Sequence, residues 1–515
     1  MRVRWSILAT MVIGVALYAA APAGASAPMG TLTVDKAHRT GANAPRVKGA
    51  ALPRGAFTNR PTIPMSAYRA AKAQRGPDRR PGAPAHAPRT AANLLGFNGI
   101  TQATAQDSFP PDINGSVSSN RVAEIVNQHL TAFTKTGSQT SDRSLATLTG
   151  YSAQGIFDPR IMYDPTWKRW VFIAEAFPES AGVQQQFIGI SSNSSPDGGF
   201  IVYQFNINGA CGSGNFWDYP QLGMNQDAVV ITGNCFQGNT YLGARTLGVA
   251  KALLYNGLGF SVPIFFVPTG DSTTTPSQVF DQNPHMDMLT RNGPHQIRFN
   301  NPANAFYSAG LTDSTITGFA APSVPRDAGQ AGCSAASCTL DTGDGRFQAP
   351  GVEFGTSLFN VATYGLSGNG TFATPTWGEF NTSTHATVQS GNRFADSCSD
   401  DFNASLTASN DSHVWLNWTS TDPQGSGCGQ TFVRQYVATR RSSDAAGTLP
   451  SIINPFTSPA ELTGNFDGNF GTQRWGDTSS VSRDPSNATI AWTWNESVAN
   501  SSTWGTRAHK IRNTP

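Results

Sequence analysis

Four aspartates in this chain of 515 residues stand in similar surroundings. Asp112 lies in Pro111-Asp112-Ile113-Asn114-Gly115, ahead of an apolar run at 122–126, and Asp158 opens Asp158-Pro159-Arg160-Ile161-Met162-Tyr163-Asp164-Pro165, ahead of 170–174. Asp218 sits in Trp217-Asp218-Tyr219-Pro220-Gln221-Leu222-Gly223, and Asp477 in Arg474-Trp475-Gly476-Asp477, ahead of 490–494. Carboxylates brought together by such a repeat supply hard oxygen ligands, so Asp112, Asp158, Asp218 and Asp477 form a candidate Ca²⁺ set. Two carboxyl groups held about 5–9 Å apart can instead cleave a glycosidic bond, and Asp158 with Asp477 are the candidate catalytic pair. Arg160, Asp218, His295 and Arg474 are the candidate ligand-binding residues, His295 because a base there suits a lyase-like pocket. The plainer alternative is that each aspartate caps its own turn or accepts main-chain N–H bonds.

The other histidines, His129, His285, His385, His413 and His509 among them, are scattered without the paired spacing of a zinc motif. There is no phosphate-cradling glycine loop, no Gly-x-Ser-x-Gly elbow and no redox cysteine pair.

The elements that must position these groups are short. From residue 93 onward, apolar or alternating runs such as 122–126, 170–174, 187–190, 201–205, 228–232, 358–364, 414–418, 432–438 and 490–494 are separated by Gly, Asn, Asp and Pro clusters. That pattern predicts many short strands and an all-β body. A stretch at 247–254 reads equally as a short helix or a strand. Charged residues make up 13% of the chain and Gly reaches 52, which argues against helical bundles and coiled coils.

From Asp112 to Asp158 is 46 positions and from Asp158 to Asp218 is 60, close to the length of one four-stranded propeller blade with variable loops. Further units are expected to start near His295, Phe347 and Asp400, giving a seven-bladed β-propeller over 93–515, with six blades the next count. A strand near 95–101 is expected to close the last blade by pairing with 504–511, which hides the sheet edges. A pair of stacked β-sandwiches is the alternative fold.

Arg2 and Arg4 precede an apolar run from Ile7 to about Ala21, and Ala23-Gly24-Ala25 supplies small residues for cleavage, so 1–25 reads as a secretory signal. No later segment is long and apolar enough to span a bilayer, and 262–267 reads as a buried strand. Residues 28–90 hold twelve Lys and Arg against two acids, Asp35 and Asp78. The stretch 26–92 is therefore expected to be a disordered basic linker or pro-segment, unable to bury a core of its own. The body beyond it is acidic, which argues against nucleic acid as a partner. The six cysteines, Cys211, Cys235, Cys333, Cys338, Cys398 and Cys428, suggest disulfides in an exported chain. Of fifteen possible pairings, the chain-neighbour set keeps every bridge local.

On the segments 158–165, 217–223 and 474–485, with Trp504-Gly505-Thr506-Arg507, the chain resembles secreted bacterial sialidase-like β-propeller proteins. Ser194-Ser195-Pro196-Asp197-Gly198-Gly199-Phe200 also resembles a degenerate Asp-box, the hairpin between the third and fourth strands of such a blade. The resemblance implies three arginines on a substrate carboxylate, a Tyr–Glu pair and an acidic Asp. Arg160, Arg298, Arg434 and Arg474 lie near strand ends, but no triad and no Tyr–Glu pair is assigned by motif. The expected function is a secreted or periplasmic protein that binds an extracellular polymer, above all a glycan, at its channel face. The alternative is a glycoside hydrolase or polysaccharide lyase. Neither reading calls for a membrane partner after signal cleavage.

Overall fold

The computed structural model describes residues 28–52, 60–74, 91–176, 184–267, 273–291, 294–308, 310–321, 323–332, 335–366, 372–422, 431–468 and 470–513. The expected signal segment lies outside them. No helix among the described residues is long and apolar enough to cross a membrane.

Strands dominate, and consecutive strands pair antiparallel in groups of four. The first group is Asn114–Val117, Arg121–Val126, His129–Thr134 and Gln139–Ser144. The second is Ile156–Asp164, Arg169–Ala176, Gln185–Ser191 and Phe200–Asn206. The third is Phe216–Met224, Ala228–Gln237, Thr240–Ala250 and Leu258–Phe266. There follow Thr275–Val279, Met286–Leu289, His295–Phe299 and Leu311–Thr315. Next come Gly351–Phe354, Ser357–Leu366, Phe372–Asn381 and Ala386–Asn392. The group Asp400–Ala408, Val414–Thr421, Arg434–Arg440 and Ser451–Thr457 precedes the last. That last group is Ser480–Arg483, Ile490–Asn500 and Thr503–Arg512, completed by Ala92–Thr101 from the far end of the chain.

The leading strand of each group packs against the leading strand of the next, and that of the last against Asn114–Val117, so the groups follow one another around a hub. No single sheet closes on itself. This is the arrangement of a β-propeller, and it replaces stacked sandwiches. Side-chain period explains how the sheets pack. Trp492 and Trp494, two apart, lie on one face and meet Val117, Val122 and Phe133 of the first group. Trp415 and Trp418, three apart, point to opposite neighbours, Trp415 toward Ala491 and Ile511 and Trp418 toward Val361 and Trp377. Each such interface excludes water from both faces of a sheet, which is why strands here read as near-continuous apolar runs.

Two expectations need correction, and a third, at 247–254, is met by both of its alternatives. His295 does not open a group: the leading strand is Thr275–Val279, and His295 begins the third strand. The group's strands are four or five residues long and carry no aspartate cassette, so nothing in the pattern marked its start. The stretch 247–254 is half strand, ending at Ala250, and half helix, Lys251–Leu254.

The stretch 26–92, expected to be disordered, carries strands and a helix among its described residues. Pro28–Lys36 adds an antiparallel strand to Leu258–Phe266, and His38–Thr40 adds one to Phe200–Asn206. Met65–Lys72 is a helix. The composition of this stretch gives it too few apolar residues to bury a core by itself. It instead uses main-chain hydrogen bonds at two sheet edges and a few anchors, Val34, Leu52 and Tyr68, buried in a body already formed. Residues 53–59 and 75–90 lie outside the described residues.

Cys211 and Cys235 form a disulfide. Cys338 and Cys398 are disulfide-bonded as well, and their expected partners Cys333 and Cys428 lie outside the described residues. The Ser194–Phe200 turn joins the third and fourth strands of its group, where an Asp-box belongs, and Asp197 accepts from Arg121 Nε (2.7 Å), Thr140 Oγ1 (2.7 Å) and Ser195 Oγ (2.9 Å).

Candidate functional site at the hub

The aspartate cassettes share a backbone device. Asp112, Asp158 and Tyr219 take left-handed φ angles of 48°, 48° and 58°. The pairing register slips between Phe157 and Arg160 and again between Asp218 and Gln221. Such bulges bend a strand and re-aim its side chains. Here they sit at the starts of the leading strands, beside the hub.

The carboxylates consequently meet. Asp112 Oδ1 accepts the Asp477 N–H at 2.7 Å, and its Oδ2 accepts Asn127 Nδ2 at 2.7 Å. The other end of the Asn127 amide accepts the Asp158 N–H at 2.8 Å. Asp158 feels the charges of Asp112, Asp218 and Asp477. Burial, followed by those three charges, pushes its carboxyl well above the usual range. Burial, followed by the Asp477 charge, raises Asp112 to about 6. Asp158 and Asp218 also lie beside Glu175, with one carboxylate oxygen of each within 4.8 Å of the others.

Arginines interleave with these acids. Arg474 holds Asp477 through both oxygens, at 2.5 and 2.6 Å. Arg346 holds Asp344 in the same way, at 2.8 and 2.9 Å. Arg160 donates to the carbonyls of Pro220 (3.3 Å) and Gln348 (3.5 Å). The Tyr219 ring receives two guanidinium groups, Arg160 at 5.4 Å and Arg346 at 4.8 Å. Glu496, from the second strand of the last group, accepts the Gly476 N–H at 3.0 Å, and burial pushes it well up.

Residues 60–74 lie along this mouth. Arg60 Nη1 reaches Asp218 at 3.4 Å, its guanidinium covers the Phe216 ring at 4.6 Å, and its carbonyl accepts from Arg346 at 2.7 Å. Thr62 donates its N–H and hydroxyl to Asp344 at 2.8 and 2.9 Å. Tyr68 donates to Asp341 at 2.7 Å, and Lys72 contacts Asp327 at 2.9 Å and Thr342 at 2.7 Å.

All four expected aspartates, with Arg160 and Arg474, therefore gather at one place. His295 does not join them: its Nδ1 pairs with Asp313 at 2.7 Å on an outer strand. Arg298 is taken by Asp287 and Arg434 by Asp422 and Asp396, so neither reaches the hub. Glu175, Tyr219, Arg346 and Glu496 were not expected. Tyr219 stood inside a quoted cassette and was readable; Glu175 and Glu496 sit on second strands, and Arg346 in the 341–350 loop, where nothing local distinguishes them.

No family model matches the chain, and no curated protein matches it. Among solved structures it is similar to the subtype N10 neuraminidase-like protein of A/little yellow-shouldered bat/Guatemala/060/2010, at 11% identity over 60% of this chain and 90% of that one, with a TM-score of 0.36. A protein of unknown function from Dyadobacter fermentans is similar at 9% identity over 69% and 93%, with a TM-score of 0.36. The GH93 α-L-arabinofuranosidase of Fusarium graminearum is similar at 8% identity over 78% and 92%, with a TM-score of 0.34.

Proposed function

We propose that the chain is an exported seven-bladed β-propeller that binds a glycan at the mouth formed by Asp112, Asp158, Asp218 and Asp477. The observation that carries this reading is the convergence of those four carboxyl groups, from four separate blades, with Arg160, Arg346 and Arg474 around the Tyr219 ring. Sugar hydroxyls are read by fixed acceptors and donors beside an aromatic face, and this mouth offers all three kinds of group. Export rests on the signal-like leader together with the Cys211–Cys235 disulfide, which needs an oxidising compartment. Ca²⁺ belongs to the same proposal, held by Asp158, Asp218 and Glu175, which bring one carboxylate oxygen each within 4.8 Å of the others.

One observation favours glycoside hydrolysis as a second reading. Burial, then the neighbouring acids, pushes the Asp158 carboxyl well above the usual range while Asp218 lies close beside it, and a carboxyl group raised in this way suits the general acid of a carboxyl pair. In that reading Asp218 replaces Asp477 as the partner of Asp158, because their carboxylate oxygens lie within 4.8 Å of each other. A polysaccharide panel separates the two. Binding without new reducing ends supports the binding protein, new reducing ends lost in Asp158→Asn support the hydrolase, and neither binding nor cleavage of any glycan overturns both.

A further inference from the structure

A second cluster lies at the opposite ends of the same leading strands. Asp218 stands near the start of Phe216–Met224, whereas Asn225 follows its end, and the Asn225 amide donates to the carbonyls of Asn283 (3.3 Å) and Pro284 (3.0 Å). The 280–285 loop therefore packs on the face away from the carboxylate mouth. There His285 Nε2 stands 3.6 Å from Asp287 Oδ2 and 3.7 Å from Glu353 Oε1. Both distances are too long for a hydrogen bond, yet one atom from each of the three residues lies within 4.8 Å of the others.

The two carboxylates have no exposed side-chain surface, and the imidazole is 23% exposed. Neighbouring donors also fix both carboxylates. Asp287 Oδ1 accepts from Gln296 Nε2 and Arg298 Nε, both at 2.9 Å, and Arg298 Nη2 reaches Oδ2 at 3.0 Å. Glu353 Oε2 accepts from Ser277 Oγ and the Asp287 N–H, both at 3.1 Å, while Asn283 Nδ2 approaches Oε1 at 3.4 Å. Outer hydrogen bonds of this kind orient ligating carboxylates at metal centres.

Charge is unbalanced as well, since one guanidinium, Arg298, faces two buried carboxylates. A tetrahedral zinc with bonds of about 2.0–2.2 Å sets its ligand atoms about 3.3–3.6 Å apart, close to the 3.6 and 3.7 Å from His285 to the two carboxylates.

We propose that His285, Asp287 and Glu353 form a divalent transition-metal site of the zinc type, with its fourth position toward solvent. Imidazole among the donors selects such a metal over Ca²⁺. The metal ties the 280–285 loop to Gly351–Phe354, and so clips the group with the shortest strands to its neighbour.

The test is a calorimetric titration of the chelator-treated mature chain with zinc chloride, with bound metal counted by mass spectrometry. One zinc per chain is expected at this site. His285→Ala and Glu353→Gln should each weaken it at least about tenfold, while Asp197→Ala, in a turn of another group, should leave it intact. Circular dichroism establishes that each variant is folded, and a visible absorption band on loading the wild type with cobalt supplies a readout that needs no variant. No zinc uptake by the wild type at about 100 μM, or wild-type affinity in folded His285→Ala, would overturn the site.

Discussion

The main-chain N–H of Asp477 donates to the Asp112 carboxylate at 2.7 Å although the two residues lie 365 positions apart. This bond joins the last blade to the first at the hub, at the opposite edge of that blade from the pairing of Ala92–Thr101 with Thr503–Arg512. Replacing Asp112 by Ala removes an acceptor used at once by Asp477 and Asn127. It should cost about 1–3 kcal/mol in chemical denaturation.

The same carboxyl group gives stability a pH dependence whose sign is opposite to that of a salt-bridged acid. Its folded pKa of about 6 lies above the unfolded value, so the native state holds the proton more tightly between about pH 4 and 6. Stability is favoured below that window and is lost as pH rises through it. Glu124, raised to about 7 by burial, and Asp327, raised to about 6 by burial, act in the same direction. Melting temperature should therefore fall between pH 5 and 7.5, and Asp112→Asn should flatten the slope. A melting temperature that rises through this range would contradict the account.

Residues 60–74 should limit access to the mouth. Tyr68 anchors them, with its ring edge-on to Phe470 at 5.6 Å and its hydroxyl on Asp341. Tyr68→Ala combined with Arg60→Ala should loosen the segment, speed amide exchange over 60–74, and strengthen glycan binding by roughly tenfold or more, the gain expected when a competing intramolecular contact is removed. Unchanged exchange would show that other contacts hold it.

Asp197 should prove structural. It fastens the turn of the second blade to Arg121 and Thr140 of the first. Asp197→Ala should lower stability by about 1–3 kcal/mol and leave glycan affinity unchanged, measured on the same protein samples.

The aspartate cassettes were legible because each carries its chemistry and its strand start in one contiguous stretch, from which both the wheel and the meeting of Asp112, Asp158, Asp218 and Asp477 follow. Arg346 and Glu175 were not, since their proximity to those acids comes from the closed ring. His295 was misplaced because the short strands of its blade lack a cassette. The wrapping of 28–52 and 60–74 was hidden for a related reason: Val34, Leu52 and Tyr68 are too few to form a core, but enough to dock on one.

The central claim is that the converging carboxyl groups recognise a glycan, and the most direct measurement is the affinity of the folded mature chain for the polysaccharide that a panel selects, compared with Asp158→Asn and Asp218→Asn. The account predicts a loss of at least about tenfold in each variant, the worth of one charged hydrogen-bonding group, with melting temperature preserved. Wild-type affinity in both variants would place recognition elsewhere on the molecule and contradict it.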